Sequence, residues 1–319
     1  MFKGFQIDHY AVIGNPIAHS KSPAIHAAFA QQTGQAMQYD AFLVGVQEGE
    51  FVKAVQSFQA YGGKGLNITV PFKQAAWTLA NQRSERAERA GAINTLCFDD
   101  KKQCIGENTD GIGLVHDLIQ NNGCQIERKS VLILGAGGAV RGVLEPLLDT
   151  MPKQCVIANR TLSKAETLAE LFADFGNITI STYEALQAQS YDLIINATSA
   201  SLQGELPPLP NGLLTKGGWC YDMMYASTAT PFMQWAKNQG AAHILDGLGM
   251  LVEQAAESFY LWRNVRPNTA PVIQQIREYL IVDTTQTSSQ NRQSEIGGPK
   301  GLEPTRYGDW EKKGRCIDF

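Results

Sequence analysis

Residues 131–142 read Val-Leu-Ile-Leu-Gly-Ala-Gly-Gly-Ala-Val-Arg-Gly: four apolar residues lead into a glycine cluster, and a helix-forming run follows. This order predicts the strand, tight turn and helix of a dinucleotide-binding βαβ unit. Backbone N–H groups in such a turn, together with the positive end of the helix dipole, attract a pyrophosphate. The other interpretation is a glycine-rich turn between two core elements. The candidate cofactor residues of this glycine loop are Gly135, Ala136, Gly137, Gly138 and Ala139.

A second apolar run, residues 154–158, predicts the next strand of the same unit. An acidic residue at the end of that strand would bind the ribose 2′-hydroxyl of NAD. This chain has Asn159, Arg160 and Thr161 there instead, with Lys164 one turn further on. Cations suit a 2′-phosphate, and guanidinium binds phosphate bidentately. We therefore expect NADP as the cofactor, against the alternative that these residues form a solvated basic helix start.

Length and composition predict two domains, because the chain has 319 residues, of which 44% are hydrophobic and 18% charged. The net charge of −4 gives no case for nucleic-acid or membrane binding. No apolar run is long enough to span a bilayer, and residues 1–5 lack the pattern of a signal peptide. The six cysteines are scattered, and the five histidines lack a metal-binding spacing. We expect a reduced cytoplasmic protein without a structural metal.

Predicted strands and helices alternate in the first part of the chain, which indicates an α/β domain with an open, mostly parallel sheet. Ligands of such sheets bind beyond the carboxyl ends of the strands. The residues 65–70 form one predicted strand, and its end carries the candidate substrate residues Asn67, Thr69 and Lys73. A lone lysine after a strand is usually a solvated charge, so Lys73 needs a partner. Asn94 and Asp110 lie near the ends of later predicted strands.

The first predicted helix covers residues 24–32. The loop before it carries two hydroxyl groups, on Ser20 and Ser22. Two hydroxyls beside a helix N-terminus suit a carboxylate. The alternative is that Ser22 only caps the helix, with Pro23 at its first position.

The second half of the chain repeats the alternation of apolar strands and helices. A strand predicted over 218–223 places Met223 and Tyr225 at its exit, and a strongly apolar helix over 250–262 should pack back on the first domain. A helical region is also expected over 74–89, and a helix over 111–121 should lead into the nucleotide domain.

Nine short motifs then accumulate in one order along residues 8–280. They are residues 20–23, 67–73, 91–95, 108–111, 135–139, 159–161, 196–199, 221–225 and 247–255. No single motif is specific, but the ordered set resembles the shikimate dehydrogenase family. The resemblance implies reversible reduction of 3-dehydroshikimate to shikimate by NADPH, on two α/β domains of which the second is Rossmann-type.

The resemblance also implies roles for individual residues. Lys73 would be the acid of the reaction, oriented by Asp110 beside it. The implied substrate-binding residues are Ser20, Ser22, Asn67, Thr69, Lys73, Asn94, Asp110, Tyr225 and Gln254. Beyond the glycine loop and the strand end at 159–164, the implied cofactor-binding residues are Thr198, Met223, Gly247 and Met250.

Three other functions stay open. One is a quinate/shikimate dehydrogenase with relaxed substrate and NAD use, although Arg160 argues against NAD. Another is a non-catalytic NADP-binding sensor, which would not need both Lys73 and Asp110. The third is an assembly or interaction protein that acts through the end of the chain. A homodimer is also possible.

The expected substrate domain covers residues 1–111 and is completed by 248–280, with the NADP domain at 112–247. Residues 281–294 are rich in Thr, Gln and Ser and predict a flexible linker. Residues 295–319 are too rich in Gly, Pro and charge for a core, yet carry aromatic side chains that suggest a partner. This tail resembles the succinate dehydrogenase assembly factor 4 family, which implies binding to the flavoprotein subunit of succinate dehydrogenase. A passive tail is the alternative.

Overall fold

A computed structural model of the chain describes residues 7–198, 200, 204–290 and 315–316, with only the backbone described for 282–290 and 315–316. Two six-stranded sheets, one in each half of the chain, are covered by helices. The predicted α/β class is confirmed. Within the described residues, no helix is long and apolar enough to cross a membrane.

The first sheet is mixed, with strand order β2-β1-β3-β5-β6-β4. Strand β1 is parallel to β2 and β3, β4 is parallel to β6, and β5 is antiparallel to both of its neighbours. The helical region expected over 74–89 is interrupted by β4. The elements are β1 (Asp8–Gly14), α1 (Ser22–Thr33), β2 (Met37–Leu43), α2 (Glu50–Ala60), β3 (Gly63–Ile68), α3 (Lys73–Leu79), β4 (Gln82–Arg83), α4 (Glu85–Ala90), β5 (Thr95–Phe98) and β6 (Cys104–Glu107).

The second sheet is entirely parallel, with strand order β13-β11-β10-β7-β8-β9, as a Rossmann-type domain requires. Its four apolar residues Val131–Leu134 are fully buried on β7. The elements are α5 (Asp110–His116), β7 (Ser130–Leu134), α6 (Gly138–Leu148), β8 (Gln154–Ala158), α7 (Leu162–Leu171), β9 (Ile178–Ser181), β10 (Tyr191–Asn196), β11 (Leu214–Asp222), β12 (Tyr225–Ala226), α8 (Pro231–Asn238), β13 (His243–Asp246), α9 (Leu248–Arg263), α10 (Ala270–Gln290) and β14 (Arg315–Cys316).

The helix expected over 111–121 is present as α5 and a π-helical turn that continues it, Asp117–Asn121. The expected linker needs correction. The linker expected from residue 281 begins inside α10, whose backbone is helical to Gln290. Burial of Val272 and Ile276 anchors the start of α10, and adding residues to an existing helix is easy even for polar side chains. Most of the predicted tail at 295–319 lies outside the described residues, apart from β14, which pairs antiparallel with β12.

Helices α5 and α9 connect the two halves of the chain. Phe259 of α9 contacts Phe29 of α1 edge-on at 5.7 Å, so this helix packs on the first domain, as expected. Gly113 lets α5 approach α9 closely, because a Cβ atom there would lie 2.7 Å from the backbone nitrogen of Gln254. A Cβ atom at Gly111 would lie 2.7 Å from the carbonyl oxygen of Gly142 on α6. Helix α5 therefore packs tightly between an element of each domain.

Candidate active site

Lys73 and Asp110 form an ion pair, with Nζ 2.7 Å from Oδ2. Lys73 begins α3, directly after the loop that follows β3, and Asp110 begins α5. The side chain of Asp110 is 5% exposed and that of Lys73 is 18% exposed, so the lysine is the accessible member of the pair. Lys73 thus has the partner that the sequence analysis required.

Asn94 holds the other carboxylate oxygen of Asp110. Its Nδ2 donates to Asp110 Oδ1 at 2.7 Å, and the backbone N–H of Thr109 donates to its Oδ1 at 2.9 Å. Because a backbone N–H can only donate, this second bond fixes which end of the Asn94 amide faces Asp110. The carboxylate is therefore held from both sides by hydrogen-bond donors.

A small cavity brings together most of the predicted substrate residues. Ser22, Asn67, Thr69, Asn94 and Gln254 are all buried. Polar groups from four separate segments therefore converge on the Lys73–Asp110 pair. The cavity is lined by Val12, Ser22, Asn67, Ile68, Thr69, Lys73, Asn94, Asp110 and Gln254.

Ser20 and Tyr225 lie outside the lining of this cavity, among the residues that the structure describes. Ser20 is half-buried, and its Oγ accepts from the N–H of Ser22 at 3.3 Å. Helix α1 begins at Ser22 without any side-chain capping bond, so the capping interpretation of Ser22 is wrong. Tyr225 is buried in the core.

A second cavity, of about 560 Å³, lies between the two domains. The first domain contributes Val70, Pro71, Lys73, Gln74, Ala90, Gly91 and Ala92, and the second contributes Ala136, Gly137, Gly138, Ala139, Arg141, Lys164, Thr167, Leu168, Ala197, Thr198, Met223 and Met224. Lys73 lines both this cavity and the small one. Lys73 thus lies where the two cavities meet.

The glycine loop forms one wall of the interdomain cavity. Gly135 has a φ of +105°, which favours glycine, and its N–H donates to Ala158 O at 2.8 Å. A Cβ atom at Gly137 or Gly138 would meet nothing within 4 Å, so the backbone at the start of α6 is open to the cavity. This arrangement fits a pyrophosphate at the helix N-terminus. Arg141, a cation in the first turns of the same helix, also lines this cavity and was not among the residues expected from the sequence.

The end of β8 carries the residues expected to select the nucleotide. Lys164 lines the interdomain cavity, whereas Asn159, Arg160 and Thr161 are not among its described lining residues. Asn159 Nδ2 donates to Thr161 O at 2.8 Å, which shapes this turn. Arg160 is exposed. Lys164 on α7 therefore supplies a cation to this side of the cavity.

The opposite end of the cavity is formed by Thr198, Met223 and Met224. Gly247 is close to them, because its N–H donates to Met224 O at 3.1 Å. The N–H of Met250 donates to Tyr221 Oη at 3.3 Å. Gly247 and Met250 are not among the described lining residues, although the start of α9 adjoins this end. Among the described residues, no group of three or more acidic, His or Cys side chains could hold a metal.

Comparisons with known proteins identify the family. Family models match residues 12–96 (shikimate dehydrogenase substrate binding domain), 117–203 (shikimate/quinate 5-dehydrogenase) and 247–277 (shikimate 5′-dehydrogenase C-terminal domain). The shikimate dehydrogenase (NADP(+)) of Nitrosococcus oceani is 57% identical over 270 residues, 85% of this chain and 95% of that protein. The chain belongs to the shikimate dehydrogenase family. A model for a protein of unknown function (DUF1674) matches residues 283–319.

Solved structures agree with this assignment to the shikimate dehydrogenase family. An Ael1 enzyme from Pseudomonas putida is 49% identical, with a TM-score of 0.79 over 84% of this chain and 97% of that one. A shikimate 5-dehydrogenase from Thermus thermophilus, in complex with NADP(H) and shikimate, is 30% identical, with a TM-score of 0.76 over 85% of this chain and 99% of that one.

An aromatic cluster adjoins the small cavity of this family member. The ring of His26 is fully buried and stacks on Tyr39, with centroids 4.1 Å apart and planes at 8°. Burial lowers the pKa of His26 to about 3, and this effect outweighs a contact with Asn67 that raises the pKa. Among the described residues, neither ring nitrogen has a hydrogen-bond partner. Because its pKa is far below 7, the imidazole is a neutral packing group.

We expect acid to destabilise the fold through His26. Between pH 6.5 and about 3 the unfolded chain binds a proton at residue 26 that the folded chain does not bind, so stability is lost as pH falls through that window. The loss attributable to this group is roughly 3 kcal/mol at pH 4. In His26→Phe, denaturant unfolding at pH 7 and pH 4 should differ by that much less. The exposed His9, changed to Gln, is the control; an undiminished acid loss in His26→Phe would contradict the assignment.

Proposed function

We propose that this chain is an NADP-dependent shikimate dehydrogenase, which interconverts 3-dehydroshikimate and shikimate. The observation that carries the proposal is the place of Lys73, which lines both the interdomain cavity and the small cavity. A ketone carbon in the small cavity would lie beside a cation and adjoin a cofactor in the larger one. The 57% identity to a shikimate dehydrogenase (NADP(+)) supports the substrate and the cofactor.

The interdomain cavity suits NADP in its shape and its charges. In this proposal the open backbone at Gly137 and Gly138 binds the pyrophosphate, and Arg160 and Lys164 bind the 2′-phosphate. When bound, NADP supplies the hydride chemistry. The remaining cofactor contacts are assigned to Gly135, Ala136, Ala139, Asn159, Thr161, Thr198, Met223, Gly247 and Met250.

In this proposal Lys73 is the proton donor and acceptor of the reaction. In the direction of reduction, Nζ donates a proton to the oxygen of the reacting carbon and stabilises the negative charge that develops there. Asp110, 2.7 Å from Nζ, holds the ammonium group in position, and Asn94 holds the carboxylate. The proton returns to Nζ in the direction of oxidation.

Most of the side chains assigned to the substrate's polar groups are neutral donors and acceptors. Ser20, Ser22 and Tyr225 are assigned to the carboxylate, since hydroxyl groups beside the start of α1 can donate to it. A substrate that lacked a hydroxyl would leave buried side chains unpaired, which favours a polyol. The ring oxygens are assigned to Asn67, Thr69, Asn94, Asp110 and Gln254.

A second activity is proposed for the end of the chain: binding of the flavoprotein subunit of succinate dehydrogenase. The match at residues 283–319 and the aromatic residues Tyr307 and Trp310 support a binding segment.

We also propose a cytoplasmic location, which the free thiols of the described cysteines favour. A homodimer could use the exposed apolar residues Phe42 and Leu43 on the edge strand β2.

Replacing Lys73 tests the chemistry. Lys73→Ala should lower kcat for shikimate oxidation by about a hundredfold or more, because the proton acceptor and the positive charge are both lost. Shikimate binding, measured by calorimetry with NADP present, should be largely kept. The matched control is Lys64→Ala, at an exposed lysine on β3. An unchanged kcat in Lys73→Ala would remove Lys73 from the reaction.

Replacing Arg160 tests the choice of nucleotide. Arg160→Ala should weaken NADPH binding about tenfold or more and NADH binding far less, because a charge-assisted bond to the 2′-phosphate is lost. Fluorescence titration of the two reduced nucleotides measures this. Arg128→Ala, at a side chain that is 88% exposed, is the control. Equal losses for NADPH and NADH would refute the assignment of the 2′-phosphate to Arg160.

Truncation tests the proposed partner. The full chain should retain purified flavoprotein subunit on an affinity resin, and Trp310→Ala should retain less. A chain that ends at Leu280 should retain none while it keeps the dehydrogenase rate. Equal retention by the full chain and the truncated one, or no retention by the full chain, would contradict the partner.

A further inference from the structure

Asn67 lines the small cavity together with Lys73 and Asp110, and its amide is fully oriented by the protein. Its Nδ2 lies 3.2 Å from the carbonyl oxygen of Asn94 and 3.0 Å from Ser258 Oγ. A backbone carbonyl can only accept, so the nitrogen end of the amide must face this side. The oxygen end then faces Tyr39, whose hydroxyl donates to Asn67 Oδ1 at 2.7 Å.

Tyr39 reaches Asn67 from a distant strand. It lies on β2, whereas Asn67 lies on β3, and β1 separates these two strands in the sheet. Only a long side chain can cross β1. The phenol ring is held by its stacking on the buried ring of His26, and Trp262 lies 6.2 Å from it on a tilted plane. The hydroxyl group is therefore presented to Asn67 by a rigid aromatic support.

We propose that Tyr39 is a positioning residue for substrate recognition: its hydroxyl fixes the Asn67 carboxamide in the orientation that presents Oδ1 to a substrate hydroxyl. The terminal torsion of an asparagine is broad. The bonds of Nδ2 to Asn94 O, Thr95 Oγ1 and Ser258 Oγ decide which end of the amide faces them, and the bond from Tyr39 holds Oδ1 in place at the other end. A carbonyl oxygen accepts two hydrogen bonds, and Tyr39 uses one of them. This inference rests on the proposed function, since it needs shikimate in the small cavity.

Tyr39→Phe removes the hydroxyl and keeps the stacked ring. We expect the KM for shikimate to rise about tenfold, the scale of one lost hydrogen bond, with kcat and the KM for NADP within about twofold of wild type. Initial rates of NADPH formation by the full chain measure all three constants. Tyr61→Phe, at a residue that is 93% exposed, is the matched control and should change none of them.

A double-mutant cycle with Asn67→Ala separates positioning from a structural role. If Tyr39 acts through Asn67, adding Tyr39→Phe to Asn67→Ala causes no further rise in the KM for shikimate. Three outcomes would overturn the inference. They are an unchanged KM in Tyr39→Phe, additive effects in the double mutant, and a fall in kcat together with a rise in both KM values. A wild-type chain that does not oxidise shikimate would instead refute the proposed function, and an unchanged KM in Asn67→Ala would refute the role of Asn67.

Discussion

The site depends on the ion pair between Lys73 and Asp110, and the carboxylate of that pair is where both domains meet. Asp110 Oδ2 accepts from Lys73 at 2.7 Å and Oδ1 accepts from Asn94 at 2.7 Å. On the side of the second domain, a Cβ atom at Gly142 of α6 would lie 3.3 Å from the same carboxylate. A buried charge is stable only when it is paired and hydrogen-bonded, so the three segments around Asp110 must keep their positions.

A second set of contacts, among the segments that connect the domains, fixes the other end of the interdomain cavity. Asp117, in the π-helical turn after α5, accepts from Tyr221 Oη at 2.7 Å, and burial raises the pKa of this carboxyl. Tyr221 in turn accepts from the N–H of Met250. A Cβ atom at Gly249 would lie 2.0 Å from Asp117 Oδ1, so glycine is required where the two connections cross. The start of α9 is thus held against the end of the cavity formed by Met223 and Met224.

The sequence predicted what depends on local pattern. The glycine loop, the strands around it and the polar residues at strand ends all follow from spacing within short segments, and the family resemblance was confirmed. The bond from Tyr39 to Asn67 spans two strand positions, and the orientation of Asn94 depends on Thr109; neither leaves a local signal. Arg141 had a signal, a cation just after the glycine loop. The continuation of α10 to Gln290 was missed because side-chain composition there favours a linker, whereas the buried turn before it favours a helix.

The two cavities that share Lys73 lead to one central claim: the chain transfers hydride between shikimate and NADP. The most direct measurement is the initial rate of nucleotide reduction by the purified full chain, followed by absorbance, with NADP or NAD and with shikimate or quinate. The rate with NADP and shikimate should be well above that of every other pair. Comparable rates with NAD and quinate would contradict the assigned specificity, and no rate with any pair, from folded protein that binds NADPH, would contradict the catalytic role itself.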